Sequence, residues 1–238
     1  HASMPPSRTA IGILAAALNA IARAPMPARL DGPAGLMFEW LGPEMRFPLR
    51  LAFANRWLFE RLLLRRLTGQ AATNALVRTT LATTVIAGGK TPNILPAGAR
   101  AIINVRLKPG DSLESVLAYL RRVVADDRVQ IRSLETAPPS AASVVSSIDS
   151  AGFMAIARAI RAVRPEAIVA PTLTVTAGDS HHYADLADNI YRFLPHTFRG
   201  AEDTVRIHGI DERIAVADYH NCVRSYISLL RNLGSQEP

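Results

Sequence analysis

Five of the six histidines in this 238-residue chain fall in its last third: His181, His182, His196, His208 and His220. Asp179, His181, His182 and Asp185 lie within seven residues of one another. Adjacent histidines point in different directions, so at most one of His181 and His182 can serve a given metal ion. His208 stands in Ile207-His208-Gly209-Ile210-Asp211-Glu212-Arg213, which reads as the end of a short strand beside a glycine. Sites in α/β sheets collect at that carboxyl edge, and neutral imidazole is the commonest divalent-metal ligand. The spacing leaves His208 open between a metal ligand and a hydrogen-bonded structural histidine. Arg106 ends the apolar run Ala101-Ile102-Ile103-Asn104-Val105. A guanidinium there can grip a carboxylate through two parallel bonds, or it can sit in water. Asn93, between Pro92 and Pro96, is either a rigidly held polar group or a turn cap.

Other chemistries find less support. There is no Gly-x-Ser-x-Gly elbow for a serine nucleophile. The single cysteine, Cys222, rules out an internal disulfide and a cysteine-built zinc site, and its apolar helical surroundings predict a buried, inert thiol. Gly88-Gly89-Lys90-Thr91 lacks the first glycine of a phosphate loop and reads as a hairpin turn. The net charge is +7, yet the basic residues are scattered, with no run longer than Arg65-Arg66 or Arg121-Arg122. No aromatic-interleaved strand or finger spacing accompanies them, so nucleic acid is not an expected partner. The charge is uneven: residues 1–70 carry nine arginines against four acids, while residues 136–238 carry nine arginines against eleven acids.

These candidates need elements to position them. Ser7 or Thr9 caps a predicted helix over 10–24, with Ile11, Leu14, Leu18 and Ile21 on one face. Repeated Pro and Gly between Pro25 and Pro48 predict a long loop, and Leu49 to Leu67 predicts one helix. Thr79–Ala87 is β-branched and ends at Gly88-Gly89, and Arg100–Leu107 alternates; both read as strands, the second closed by Pro109-Gly110-Asp111. Ser112 caps a helix over 113–125, and Val129–Leu134 reads as a further strand. Helix, strand, strand, helix, strand is the order of a split β-α-β unit whose first strand precedes His1. Residues 1–136 are therefore read as an α+β domain interrupted by a helical insertion near 25–78. Pro138 to Ser147 forms a small-residue linker. Beyond it the pattern predicts helices over 149–163 and 215–233, strands over 167–174 and 190–193, a turn over 179–187 and an extended 205–208. Residues 137–238 then form part of a larger α/β domain.

The ordered series matters more than any one motif. Arg78-Thr79-Thr80, Gly88-Gly89-Lys90-Thr91-Pro92-Asn93-Ile94-Leu95-Pro96, Asn104-Val105-Arg106-Leu107-Lys108-Pro109-Gly110-Asp111, Gly178-Asp179-Ser180, Tyr191-Arg192-Phe193-Leu194-Pro195 and Ile207 to Ile214 follow His1-Ala2-Ser3-Met4. Together they resemble the di-zinc aminoacylase and carboxypeptidase family, most closely its carboxypeptidase S and N-acyl-amino-acid hydrolase branch. The resemblance implies a ferredoxin-like β-α-β-β-α-β lid and dimerisation domain, its first strand missing here, followed by the C-terminal part of an α/β zinc-peptidase catalytic domain. It implies zinc-dependent hydrolysis of peptide or N-acyl-amino-acid amides that carry a free carboxylate, by a homodimer joined through the lid.

By the same resemblance His208 falls on a zinc ligand, one contact among those that hold two zinc ions. His1 falls on the lid histidine that reaches the neighbouring subunit's site and polarises the scissile carbonyl. Asn93 and Arg106 fall on lid residues that hold the substrate's carbonyl oxygen and carboxylate, and Gly178 and Asp179 on a substrate-binding loop. That loop departs from the family's Gly-Thr-Asp-Ser-Arg, reading Ala177-Gly178-Asp179-Ser180-His181. The remaining zinc ligands and the general-base Glu lie upstream of the lid in this family, so the chain is expected to be a C-terminal portion, inactive by itself. The alternative is a non-catalytic dimerisation or binding module that kept the lid. The Leu49–Leu67 helix mixes Leu, Phe and Trp with Arg, as membrane-surface helices do. Packing on the insertion and the substrate cleft is the preferred reading, so membrane contact is not expected. Localisation is left open.

Overall fold

A computed structural model of the chain describes residues 2–134, 144–176, 178–200, 203 and 206–234. It is a mixed α+β architecture with one small antiparallel sheet, and it divides into two compact units, His1–Val144 and Val145–Pro238. Among the described residues no helix is long and apolar enough to cross a membrane.

In the first unit, helix α1 (Ala10–Arg23) starts where Thr9 Oγ1 accepts the Gly12 N–H at 3.1 Å. Strands β1 (Thr80–Ala87) and β2 (Arg100–Arg106) pair in antiparallel register from Thr80 opposite Arg106 to Ala87 opposite Arg100, with an irregularity between Thr83 and Val85. Leu81 stands opposite Val105, and with Ile103 these side chains face the buried Ile21, Met26, Val116 and Leu120. The last two belong to the amphipathic helix whose start is fixed by reciprocal bonds between Ser112 and Ser115.

The insertion holds more helix than its composition predicts. Helix α2 (Gly32–Leu41) lies inside the stretch read as a loop: Gly32 takes a left-handed φ of 57° and Pro33 occupies the first turn, so the apparent breakers start a helix. The predicted Leu49–Leu67 helix is two, α3 (Leu49–Ala54) and α4 (Arg56–Thr68). Asn55 parts them at a non-helical φ of −119° and ψ of 49°, while its N–H and its side-chain amide both donate to the Leu51 carbonyl, at 3.1 and 3.0 Å. Helix α5 (Ala71–Val77) follows, unpredicted, and after the hairpin comes the Ser112-capped α6 (Leu113–Val124). The insertion has its own core of Leu30, Phe38, Phe53, Leu63, Leu67 and Val77, with Phe38 and Phe53 stacked at 4.7 Å.

A polar junction joins insertion to hairpin. Arg29 donates to Asp111 at 2.9 Å and to Asp31 at 3.0 Å, and the buried Lys108 ammonium also pairs with Asp31. Thr79 Oγ1 donates to Asp111 at 2.5 Å and accepts the Lys108 N–H at 2.9 Å. The Arg29 N–H donates to the Val77 carbonyl at 2.7 Å, so the two ends of the insertion meet. Burial works against the charge on Arg29, but its bonds to Asp111 and Asp31 outweigh that and raise its pKa. Burial likewise opposes ionisation of Asp31, and the bonds from Lys108 and Arg29 override it, holding the carboxyl below its ordinary 3.8.

In the second unit, α7 (Ala151–Val163) begins at Ser150, whose hydroxyl accepts the Phe153 N–H at 3.1 Å. It packs against α8 (Val216–Gly234). Buried Asp218 of α8 accepts from Arg164 at 3.2 Å and Arg199 at 2.7 Å, and Arg164 also reaches Thr197 at 2.6 Å.

Several predicted strands do not form. Val129–Leu134, Ala167–Thr174 and Ile190–Phe193 join no sheet, and the ferredoxin-like sheet is reduced to two strands among the described residues. The side chains are used without the ladder: Ile131 and Val169 pack into the two units' cores, while the Ile131 carbonyl accepts from Arg121 at 3.0 Å. β-branched composition records a preference for a half-buried surface and supplies no pairing partner. Residues 206–208 form a turn where extension was predicted; residue 205 and most of the predicted linker lie outside the described residues.

Asp111→Ala strips the junction of its most buried carboxylate and leaves Arg29 and Thr79 short of a partner. A loss of about 2–3 kcal/mol is expected in urea unfolding. Asp31 has a folded pKa below its unfolded one, so its stabilisation is complete above about pH 4 and is lost as pH falls through the lowered value. The acid limb of thermal stability should therefore be flatter in Asp31→Asn than in the parent chain.

Candidate functional site

The hairpin sets the placement of Asn93 and Arg106. Gly88 follows β1 where a Cβ would come 3.1 Å from the Ile11 Cδ1 atom of α1, a close approach between strand end and helix that a larger residue would hold only if Ile11 shifted. The following loop carries Asn93, which is exposed and whose carbonyl accepts the Ala2 N–H at 3.1 Å. His1 itself lies outside the described residues, but its neighbour is bonded to Asn93. Arg106 stands at the other end of β2, opposite Thr80, exposed and with no partner for its guanidinium among the described residues. From Arg100, beside the Asn93 loop, to Arg106 the strand climbs six residues, roughly 20 Å. One chain thus offers Asn93 and Arg106 at opposite ends of a hairpin and does not bring them together.

In the second unit Gly178 and Asp179 are exposed at the start of a 3-10 turn, Asp179–Tyr183. Arg192 clamps this loop from both sides, donating Nη1–H to the Thr176 carbonyl and Nε–H to the Ser180 hydroxyl, each at 2.6 Å. In sequence Arg192 belongs to the Tyr191-Arg192-Phe193-Leu194-Pro195 motif, from which no role for it follows. The available signal was a lone arginine within the apolar run Ile190-Tyr191-Arg192-Phe193. Tyr191 packs on Phe153 and ties that run to α7.

His208 is placed by a turn and not by a strand end. Its φ is 62°, a left-handed value that histidine adopts more readily than most residues. Its N–H donates to Glu212 Oε2 at 3.1 Å, and Gly209 donates to the Arg206 carbonyl at 2.8 Å, closing the turn. The His208 residue is exposed. Among the described residues no three of His, Cys, Asp and Glu converge as a metal site would require, either at His208 or around Asp179, His182 and Asp185. The side chain of His181 is not among those described. The described donors therefore do not by themselves fit a zinc ion. Cys222 is buried and its thiol donates to the Pro195 carbonyl at 3.2 Å, as an inert thiol would.

Comparison with known proteins bears on the same regions. The sequence model of the peptidase dimerisation domain matches residues 1–131. The probable carboxypeptidase S-like 2 of Dictyostelium discoideum is 37% identical over 98% of this chain and 44% of its own length. The N-fatty-acyl-amino acid synthase/hydrolase PM20D1 of Xenopus tropicalis is 39% identical over 98% of this chain and 45% of its own length. The Homo sapiens protein of that name is 36% identical over the whole chain and 48% of its own length. The chain thus spans a little under half the length of these relatives. Among solved structures, a M20 family metallo-carboxypeptidase from Sulfolobus solfataricus aligns over 95% of this chain and 56% of its own, at 16% identity and a TM-score of 0.45.

Removal of the clamp should loosen the loop it spans. In Arg192→Ala, amide exchange over Asp179–Tyr183 is expected to quicken about tenfold with little change at α7. Hydrogen-exchange mass spectrometry reads both segments at once.

Proposed function

The chain belongs to the M20 peptidase family, in the branch of the carboxypeptidase S-like and PM20D1 proteins, and we propose that it serves a dimeric hydrolase of peptide or N-acyl-amino-acid amides bearing a free carboxylate. The observation that carries this reading is the hairpin with chemically different ends. At one end the Ala2 N–H is bonded to the Asn93 carbonyl; at the other Arg106 presents an unpaired guanidinium. Two such ends work on one substrate when the hairpins of two subunits contribute opposite ends to each cleft.

In this reading Arg106 takes the substrate carboxylate in a two-pronged, charge-assisted bond and fixes the register of the amide. Asn93 and His1 from the other subunit donate to the carbonyl oxygen, a contact that strengthens as negative charge develops there. Gly178 and Asp179, on the loop clamped by Arg192, are assigned to substrate binding by the family resemblance. His208 is the one zinc ligand assigned to this chain, and the two zinc ions come from the family resemblance. The lid, proposed for residues 1–136 as a ferredoxin-like domain around the insertion, dimerises; residues 137–238 complete the catalytic domain. The match of residues 1–131 to a dimerisation domain also favours a second reading, a dimerising module without turnover.

The test uses protein that extends over the relatives' full length. Arg106→Ala is expected to raise KM about 10–100-fold for N-acyl amino acids and to change little for their carboxamides, which offer no anion. His1→Ala should lower kcat instead. Mixing His1→Ala with His208→Ala subunits should recover part of the activity, because one site of each mixed dimer has both an intact ligand and an intact partner histidine. Subunit exchange without recovery rejects the shared site. Dimerisation without any turnover by the parent protein favours the second reading.

A further inference from the structure

Helix α4 is apolar on two sides. Its inner side, Phe59, Leu63 and Leu67, packs into the insertion's core. Its outer side carries Trp57, 82% exposed, Leu58, 59% exposed, and Leu62, 61% exposed. At 100° per residue, Trp57, Arg61, Arg65, Leu58 and Leu62 share an arc of about 140° that contains no acidic residue. Phe47, just before α3, is 71% exposed as well. Residues 45–68 hold six arginines and one acid, Glu60. An exposed Trp and two Leu cost free energy in water, and interleaved arginines deter a neutral apolar partner.

We propose that the outer face of α4 docks on the surface of an anionic phospholipid bilayer. Trp57, Leu58 and Leu62 insert at the boundary between headgroups and acyl chains, and Arg61 and Arg65 pair with lipid phosphates. Charge complementarity selects this occupant: an arc of arginine and large apolar side chains without one carboxylate matches a surface that is anionic above and hydrocarbon beneath. The sequence reading preferred packing on the insertion, and the inner face does that; the outer face remains for a second surface. The docking is peripheral and independent of the hydrolase reading.

The 238-residue chain is mixed with vesicles of phosphatidylcholine containing phosphatidylglycerol, and with pure phosphatidylcholine vesicles, and sedimented. Binding is expected only to the anionic vesicles, with a blue shift of tryptophan emission. Arg61→Ser with Arg65→Ser should weaken binding about 30-fold, and Trp57→Ser with Leu62→Ser about tenfold. Trp57→Phe should keep the affinity and lose the shift, since Trp40 sits on another helix. Circular dichroism confirms that each variant folds. No binding to anionic vesicles overturns the proposal, as does equal binding to neutral ones. Arginine-dependent binding that survives Trp57→Ser with Leu62→Ser also overturns it, because mere attraction to polyanions then suffices. A stable dimer of the chain that dissociates in that double variant overturns it in favour of a second copy.

Discussion

Asp111 is the group on which the first unit hangs. It lies 82 residues from Arg29 in sequence, yet its two oxygens engage Arg29 and Thr79, joining the insertion's first residues to the strand that follows its last helix. A buried carboxylate is costly unless its acceptor sites are filled, and here both oxygens are. Lys108, also buried, would be a worse liability alone, and Asp31 supplies its counter-charge. The four charges and one hydroxyl stabilise one another only when insertion and hairpin are both folded. That mutual requirement makes the junction a specifier of arrangement more than a source of net stability.

The parts of the fold that were legible in sequence are those whose signal is local. Thr9 and Ser112 announce their helices because a cap acts over three residues, and Leu81, Ile103 and Val105 announce a hairpin by alternation. Gly32-Pro33 misled because a helix start and a break use the same two residues, and only the apolar partners Phe38 and Phe53 decide between them. Leu49 to Leu67 misled in the opposite way: the periodicity is continuous, and a single non-helical residue, Asn55 at φ −119° and ψ 49°, divides the backbone beneath it. The strands over 129–134, 167–174 and 190–193 were over-read, since composition reports burial while a strand needs a neighbour for its N–H and C=O groups.

For the candidate site, residue identity came from the ordered motifs, and placement came from the structure. Asn93 and Arg106 are thirteen positions apart in sequence and look like companions, but the antiparallel register sends them to opposite ends. Arg192 shows the reverse. It is unremarkable in sequence, yet it fixes both flanks of Gly178 and Asp179, because a guanidinium can span from a carbonyl to a hydroxyl four residues further on. His208 loses its predicted strand; a left-handed turn closed by Gly209 carries it.

The single backbone bond from Arg29 to Val77 has a consequence for how such a protein can vary. It makes the insertion a cassette that enters and leaves through one point, so the hairpin registers only that its ends meet. The cost of closing a longer or shorter excursion between fixed ends changes slowly with its length. The helices between Leu30 and Leu76 can therefore be lengthened, trimmed or resurfaced over generations while Asn93 and Arg106 keep their positions. The surface identity of the unit can drift while the two ends of its hairpin stay still.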